Sequence, residues 1–163
     1  MDTLSQKKYK TKEEKIHYQT HVIEPAVVRS FNKEYYFSKK LHAVQLYAPV
    51  SETNNKNAYD VILHRDFQVT DFANGKVSFY DVKTIEPEND RNERTNFCIS
   101  KTCEGLSTLD YFVFVYRNVC YICKYNDVIS NLHASNDPHE YNLIALSKIK
   151  QFYKSKFPFS LEN

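Results

Sequence analysis

The chain has 163 residues, which is enough to bury a hydrophobic core, and we expect residues 1–163 to form a single domain. Its formal net charge of +2 allows a nucleic-acid partner without requiring one. With Gly75 and Gly105 as its only glycines, the chain has no P-loop, no dinucleotide-binding fingerprint and no nucleophile elbow, which excludes those enzyme classes.

The first predicted element is a helix that begins directly after Thr11. Glu14 follows Thr11 by three residues, which is the spacing of a capping box. Apolar residues such as Ile23 and Val27 continue at roughly helical spacing, but Pro25 must kink this helix or start a second one. We therefore expect a helix, a break and a further helix.

The middle of the chain is predicted to form strands. From residue 58 the segments AYDVILHRDFQV and KVSFYDVKT are rich in β-branched and aromatic residues, and Asn74-Gly75 between them is a hairpin signal. The charged stretch IEPENDRNERT predicts an exposed loop, and ISKTCEGLSTL a short helix. The apolar run DYFVFVY is typical of a buried strand, with NVCYICKY as its neighbour.

The last predicted element is a helix within HEYNLIALSKIKQFY, behind the start signal Asp137-Pro138. Apolar residues recur there at helical spacing, namely Leu143, Ile144, Leu146, Ile149 and Phe152. The element order predicts an α/β domain in which helices flank a central mixed sheet of four to five strands.

No apolar run approaches the roughly 20 residues of a membrane helix, and no signal peptide is apparent, so we expect a cytoplasmic protein with no membrane partner. Four cysteines are then expected to be reduced thiols unless they bind zinc, namely Cys98, Cys103, Cys120 and Cys123. Zinc is disfavoured because Cys120 and Cys123 are three apart in a predicted strand and point to opposite faces. His17 and His21 have the spacing of helical zinc ligands but no accompanying general-base glutamate.

One predicted strand carries the residues that favour catalysis. In VSFYDVKT, alternation places Asp81 and Lys83 on the same face, with Phe79 before them. A carboxylate and an ammonium at a strand end can hold a divalent cation and stabilise a phosphate oxygen, and phosphodiester hydrolysis needs both. Asp60, on the preceding strand, is the expected second ligand, and Mg²⁺ suits such an oxygen site.

These residues resemble the PD-(D/E)xK nuclease family, with Asp60 at its first acidic position and Asp81-Val82-Lys83 as its signature. The resemblance covers roughly residues 58 to 129 and includes the order of elements. It implies a restriction-endonuclease-like fold and a metal-dependent endonuclease, of restriction, phage or repair type, that hydrolyses DNA phosphodiester bonds. It further implies Mg²⁺, with Mn²⁺ as a substitute, and a homodimer. The chain departs from the family at Tyr59, where proline is common, and at Asp81, where glutamate is commoner.

Further site residues follow from the same resemblance. Family members often add an acidic residue from the first helix, for which Glu24 is the candidate and Glu14 its competitor. Ser100 and Lys101 either contact the phosphate backbone or are ordinary surface residues. Glu13-Glu14-Lys15 repeats the short motif, but it lies outside any apolar strand. Two alternative functions remain, a nuclease-fold module that binds nucleic acid or protein without cutting it, and a cysteine-based, metal-stabilised interaction protein.

Overall fold

A computed structural model describes residues 11–46, 65–105 and 108–162. Within these ranges the chain forms an α/β fold, as the element order predicted. The helices, in chain order, are α1 (Lys12–Tyr18), α2 (Glu24–Lys39), α3 (Tyr125–Ile129) and α4 (Leu146–Phe152). The strands, in chain order, are β1 (Leu41–Gln45), β2 (Phe67–Asp71), β3 (Val77–Lys83), β4 (Asn96–Ser100), β5 (Tyr111–Tyr116), β6 (Val119–Lys124), β7 (His133–Ala134), β8 (Tyr141–Ala145) and β9 (Ser155–Pro158).

The larger of two sheets contains six strands in the order β1-β2-β3-β5-β6-β9. Strands β3 and β5 are parallel, whereas the other neighbours are antiparallel, so the sheet is mixed as predicted. It has more than the four or five strands expected because β1 and β9 extend its two edges. Both escaped prediction because LHAVQ has mixed periodicity and SKFP is only four residues long. The smaller sheet has the order β4-β8-β7.

The N-terminal region is helical as predicted, but the expected break near Pro25 is a π-helical distortion within a continuous helical backbone. The backbone N–H of Glu14 donates to Thr11 Oγ1 at 3.0 Å, so Thr11 caps α1. A π-helical segment, Gln19–Ile23, separates α1 from α2, and Pro25 lies in the first turn of α2. Pro25 has no N–H to donate to the preceding turn, and in that turn the Thr20 carbonyl accepts a hydrogen bond from the Gln45 side chain.

The predicted hairpin between β2 and β3 is also confirmed. The Gly75 N–H donates to the Asp71 carbonyl at 2.7 Å, and Gly75 has a φ of 73°, which favours glycine. The two strands then pair in antiparallel register, with Phe67 opposite Tyr80. This register brings the start of β2 beside the end of β3.

The predicted C-terminal helix is wrong in its first part, since residues 141–145 form strand β8. This segment pairs with β4 at five positions, and Ile144 is fully buried. Tertiary pairing therefore overrides helical spacing, and α4 begins only at Leu146. The predicted short helix in ISKTCEGLSTL is also only partly present, because Ile99 and Ser100 belong to β4 and a 3₁₀ turn follows at Lys101–Gly105.

Two hydrophobic clusters cover the opposite faces of the larger sheet. On one face α2 packs through Phe31, which makes edge-on contacts with Phe67, Tyr80 and Phe157. On the other face β4, β8 and α4 pack against β5. Cys120 belongs to the first cluster and Cys123 to the second, which confirms that their side chains point apart. Among the described helices, none is long and apolar enough to cross a membrane.

Candidate active site

Three acidic residues and one lysine meet where β2 begins and β3 ends. Asp66 directly precedes β2, Asp81 and Lys83 lie near the end of β3, and Glu24 is the first residue of α2. The charges of Glu24 and Asp81 both act on Asp66, and Asp66 in turn acts on Lys83. The four side chains therefore form one electrostatically connected cluster, which we call the acidic cluster.

Strand pairing fixes the position of Asp66. Its N–H donates to the Tyr80 carbonyl at 2.8 Å, and its Oδ2 accepts a hydrogen bond from the Val82 N–H at 2.7 Å. The regular pairing of β2 with β3 ends at Phe67 and Tyr80, so Asp66 and Asp81 are the residues directly beyond that pair, and their side chains are hydrogen-bonded. Asp66 is 8% exposed and Asp81 is 2% exposed, so both carboxylates are withdrawn from bulk water.

Lys83 and Asp81 form an ion pair, with 3.0 Å between Nζ and Oδ2. The Cys103 thiol lies beside the pair, because Lys83 Nζ donates to its Sγ at 3.6 Å and Sγ donates to Asp81 Oδ2 at 3.7 Å. Burial lowers the pKa of Lys83, but the charges of Asp81, Cys103 and Asp66 and the hydrogen bond to Asp81 together outweigh this effect, and the pKa is raised overall. Lys83 therefore stays positively charged at neutral pH.

Glu24 is held at the end of the π-helical segment by Gln45 of β1. The Gln45 Nε2 donates to the Thr20 carbonyl at 2.8 Å and to Glu24 Oε1 at 3.2 Å. Thr20 lies inside the π-helical segment, where the altered backbone pattern favours such an outside partner. The same segment is tied to the residue after Lys83, since Gln19 Nε2 donates to Thr84 Oγ1 at 2.8 Å.

The acidic cluster retains protons at neutral pH. Burial raises the pKa of Glu24 to about 8, against the hydrogen bond from Gln45 and with a further contribution from the charge of Asp81. Burial also raises the pKa of Asp66 well above its usual range, and the charges of Asp81 and Glu24 add to this effect. Glu24 and Asp66 therefore stay protonated beside the Asp81–Lys83 ion pair, and a cation that bound to these carboxyl groups would displace their protons.

The donor set suits a hard divalent cation. Carboxylate oxygens are the protein ligands that Mg²⁺ prefers, and the ion needs only one or two of them because water and substrate phosphate complete its octahedron. Asp66 and Asp81 are hydrogen-bonded to each other and could supply such a pair. In the described ranges, no three His, Cys, Asp or Glu side chains converge closely enough to hold a metal ion without movement.

The structure brings together three of the four residues that the sequence suggested. Glu24, Asp81 and Lys83 belong to the acidic cluster. Asp60 lies outside the described residues, so its role stays a prediction. Glu14, the alternative to Glu24, takes part in the capped first turn of α1.

The other candidates have surface roles or only border the acidic cluster. Ser100 Oγ lies 2.8 Å from Thr102 Oγ1, and exposed Lys101 pairs with Glu104 at 3.4 Å. The 3₁₀ turn that Lys101 begins carries Cys103 to the Asp81–Lys83 pair. The rings of His17 and His21 lie against each other, with centroids 4.5 Å apart.

Sequence reasoning missed Asp66, Gln45 and Cys103. Counting outward from a two-residue Asn74-Gly75 turn would place Asp66 opposite Lys83, whereas the observed loop has four residues, closed by the Asp71 N–H bond to the Lys76 carbonyl. The hairpin signal alone therefore did not bring Asp66 and Asp81 together. No local pattern marks Gln45 or Cys103, since both reach the acidic cluster through tertiary packing.

No protein-family model, curated protein or solved structure matches this chain. Its function must therefore be inferred from the chemistry of the acidic cluster.

Proposed function

We propose that this chain is a metal-dependent endonuclease that hydrolyses DNA phosphodiester bonds and belongs to the PD-(D/E)xK family, with a restriction-endonuclease-like fold. The observation that carries the proposal is the meeting of three carboxyl groups beside one lysine, with Asp66 and Asp81 buried near the ends of paired strands and half-buried Glu24 at the start of α2. Asp66 takes the first acidic position in this proposal, Asp81 and Lys83 the signature positions, and Glu24 the helical position.

Each side chain of the acidic cluster has a different role in the proposed hydrolysis. Asp66 and Asp81 offer adjacent oxygen ligands, and Lys83 keeps a charged ammonium 3.0 Å from Asp81, from which it can reach a phosphate oxygen. Glu24, with a pKa of about 8, can exchange a proton at neutral pH. Mg²⁺, when bound, supplies the positive charge that stabilises the phosphate in the transition state and makes water a better nucleophile.

Duplex cleavage requires two such sites, and the proposal includes a homodimer related by two-fold symmetry. A two-fold axis would present one acidic cluster to each antiparallel strand of DNA. The dimer is proposed from the family resemblance.

The experiment incubates purified protein with supercoiled plasmid and Mg²⁺ or Mn²⁺, with EDTA as the metal-free control. We expect metal-dependent nicking that falls at least about 100-fold in Asp81→Asn and in Lys83→Met. Exposed residues give the matched controls Asp137→Asn and Lys148→Met, which should cleave like the parent chain. The double variant Asp81→Asn/Lys83→Met leaves no unpaired buried charge, so it provides an inactive form that is expected to stay folded.

The alternative function predicts a different result from the same samples. A nuclease-fold binding module would cleave neither DNA nor RNA with either metal, yet would bind nucleic acid in a salt-dependent way. That combination, in protein shown to be folded by circular dichroism, would reject the enzyme and favour the module.

A further inference from the structure

The 3₁₀ turn that follows β4 covers the Asp81–Lys83 ion pair. By strand alternation both side chains share a sheet face with Phe79, whose ring packs in the hydrophobic cluster under β4 and β8. Cys103 lies in the middle of this turn, belongs to the same cluster and is fully buried. The Cys103 thiol therefore reaches the ion pair from the layer that packs on this face.

The Cys103 thiol bonds both members of the ion pair. Lys83 Nζ donates to Sγ at 3.6 Å, and Sγ donates to Asp81 Oδ2 at 3.7 Å. The same Oδ2 lies 3.0 Å from Lys83 Nζ, so the three atoms form a closed triangle. An ammonium only donates hydrogen bonds and a carboxylate only accepts them, whereas a thiol can do both. Cys103 is thus complementary to both charged groups at once.

The position of Cys103 is fixed by contacts that do not involve the ion pair. The Tyr125 hydroxyl donates to the Cys103 carbonyl at 2.6 Å, and the Tyr125 ring stacks on Phe112 of β5 with centroids 5.7 Å apart. In the same turn, Glu104 Oε2 accepts a hydrogen bond from Asn142 Nδ2 of β8 at 3.0 Å. The turn is therefore attached to its surroundings at two points, and the thiol is held where Lys83 can reach it.

We infer that Cys103 is a positioning residue, which holds the Lys83 ammonium where the proposed hydrolysis needs it. The inference rests on the proposed function for the role of Lys83. A lysine side chain is flexible, so an ammonium that must meet a phosphate oxygen gains from a second anchor besides Asp81. Asp81 attracts Lys83 less strongly when it also binds a cation, because the cation neutralises part of the carboxylate charge. The neutral thiol keeps its hydrogen bond to Lys83 in that state.

Cys123 allows positioning to be separated from simple packing. It belongs to the same hydrophobic cluster as Cys103 and is also fully buried. However, the sheet register Asp81–Phe112–Cys123 places it two strands away from Asp81. Truncation of either cysteine to alanine removes one sulfur atom from the same core. A difference between the two variants therefore reports on the contacts of Cys103 with the ion pair.

The first test measures steady-state cleavage of DNA with Mg²⁺. We expect kcat to fall at least about 10-fold in Cys103→Ala while KM stays within about two-fold, because Lys83 acts on the transition state. Cys103→Ser should keep kcat within about three-fold of the parent chain, since a hydroxyl also donates and accepts. Cys123→Ala should keep kcat within about two-fold, because it leaves the ion pair intact.

The second test follows Lys83 itself and requires no cleavage. Nuclear magnetic resonance relaxation of labelled lysine Cε carbons in the metal-free protein reports side-chain motion, and the signal that is missing from Lys83→Met identifies Lys83. We expect the order parameter of Lys83 to fall by about a third in Cys103→Ala and to be retained in Cys103→Ser and Cys123→Ala.

Tyr125→Phe provides a second variant in case Cys103→Ala does not fold. It keeps the ring on Phe112 but removes the hydrogen bond to the Cys103 carbonyl, so the turn is less firmly held. We expect a smaller loss of the same kind, with the Lys83 order parameter and kcat both reduced, kcat by about three-fold.

The inference and the proposed function can fail separately. An unchanged Lys83 order parameter in folded Cys103→Ala, or in Tyr125→Phe if the alanine variant does not fold, would overturn the inference. Equal losses of kcat in Cys103→Ala and Cys123→Ala would also overturn it, because they would indicate packing alone. Lys83 order that depends on Cys103 in a protein that cuts no nucleic acid would support the inference and remove the nuclease. Metal-dependent cleavage with unchanged kcat in Cys103→Ala would support the nuclease and remove the inference.

Discussion

Glu24 shows how burial sets the protonation of a single residue. Its pKa is raised from 4.5 to about 8, so the folded protein holds this proton at pH values where the unfolded chain has released it. Because the folded state binds more protons between these limits, the contribution of Glu24 to stability falls as pH rises from about 4.5 to about 8. Above about pH 8, Glu24 is charged in the folded protein as well, and its full destabilising effect on the fold is reached.

Glu24→Gln should therefore stabilise the metal-free protein at pH 8 while changing it little at pH 4.5. The amide imitates the protonated carboxyl and can still accept the hydrogen bond from Gln45. We expect the free energy of unfolding to rise by about 1–3 kcal/mol at pH 8. Urea unfolding in EDTA at the two pH values measures the difference, and a variant that is less stable at both would contradict the buried, protonated state.

Asp66 and Asp60 are alternative candidates for the first acidic position of the proposed site, and single substitutions can distinguish between them. Asp66 is hydrogen-bonded to Asp81, so Asp66→Asn should reduce metal-dependent cleavage by at least about 100-fold. Asp60→Asn is the matched comparison. Loss of cleavage in Asp60→Asn with activity retained in Asp66→Asn would restore the assignment made from the motif.

At the scale of elements, the π-helical segment depends on a neighbouring strand. Gln45 of β1 bonds both the Thr20 carbonyl and Glu24, and thereby joins the helix break to the sheet edge. Two hydrogen bonds in a half-buried setting together stabilise the fold by about 1–3 kcal/mol.

Gln45→Ala should accordingly lower the melting temperature by several degrees and loosen the position of Glu24. Gln68→Ala provides the control, because Gln68 is a half-buried glutamine of the adjacent strand β2. Thermal denaturation followed by circular dichroism gives the comparison. Equal melting temperatures for the two variants would argue against any special role for the Gln45 bonds.

The elements that could be predicted are those whose signals are local. The Thr11 cap and the turn at Asn74-Gly75 each depend on a few neighbouring residues, and both are confirmed. The break expected near Pro25 is a π-helical distortion rather than an interruption of the helix. Strand β8 could not be predicted, because its apolar spacing also suits a helix and only pairing with β4 decides between them.

The candidate site likewise contains residues that the sequence could predict and residues that it could not. Asp81 and Lys83 share a face by strand alternation, which depends on sequence alone. Gln45 and Cys103 reach the acidic cluster from distant parts of the chain, and only the tertiary structure brings them there.

At the scale of the whole molecule, Asp90 ties the connection between β3 and β4 to the β5–β6 hairpin. Its carboxylate accepts hydrogen bonds from the Tyr116 hydroxyl at 2.6 Å, from Arg117 Nε at 3.0 Å and from the Asn92 N–H at 3.0 Å. Burial raises the pKa of Asp90, but these bonds outweigh it and lower the pKa from 3.8 to about 2. Their stabilisation is therefore present above about pH 4 and is lost as pH falls through 2.

Asp90→Asn should lower the free energy of unfolding by about 1–3 kcal/mol at pH 7, because the charged acceptor is lost. The difference in free energy of unfolding between the variant and the parent chain should become smaller between pH 4 and pH 2, where Asp90 of the parent chain also loses its charge. Denaturant unfolding across this range tests the expectation. A gap that does not change with pH would mean that the charge of Asp90 contributes nothing.

The register of the β2–β3 hairpin limits how this chain can vary. The strands pair outward from Asp71 and Lys76, whose backbones are hydrogen-bonded, and both arms reach the Phe67–Tyr80 pair after the same number of residues. Asp66 and Asp81 are the next residue on each arm. A residue inserted into one arm would move one carboxylate to the opposite face of the sheet unless the other arm gained a residue too, or a bulge absorbed it. Among descendants of this sequence, length changes that preserve function should therefore fall in the turn or occur in pairs.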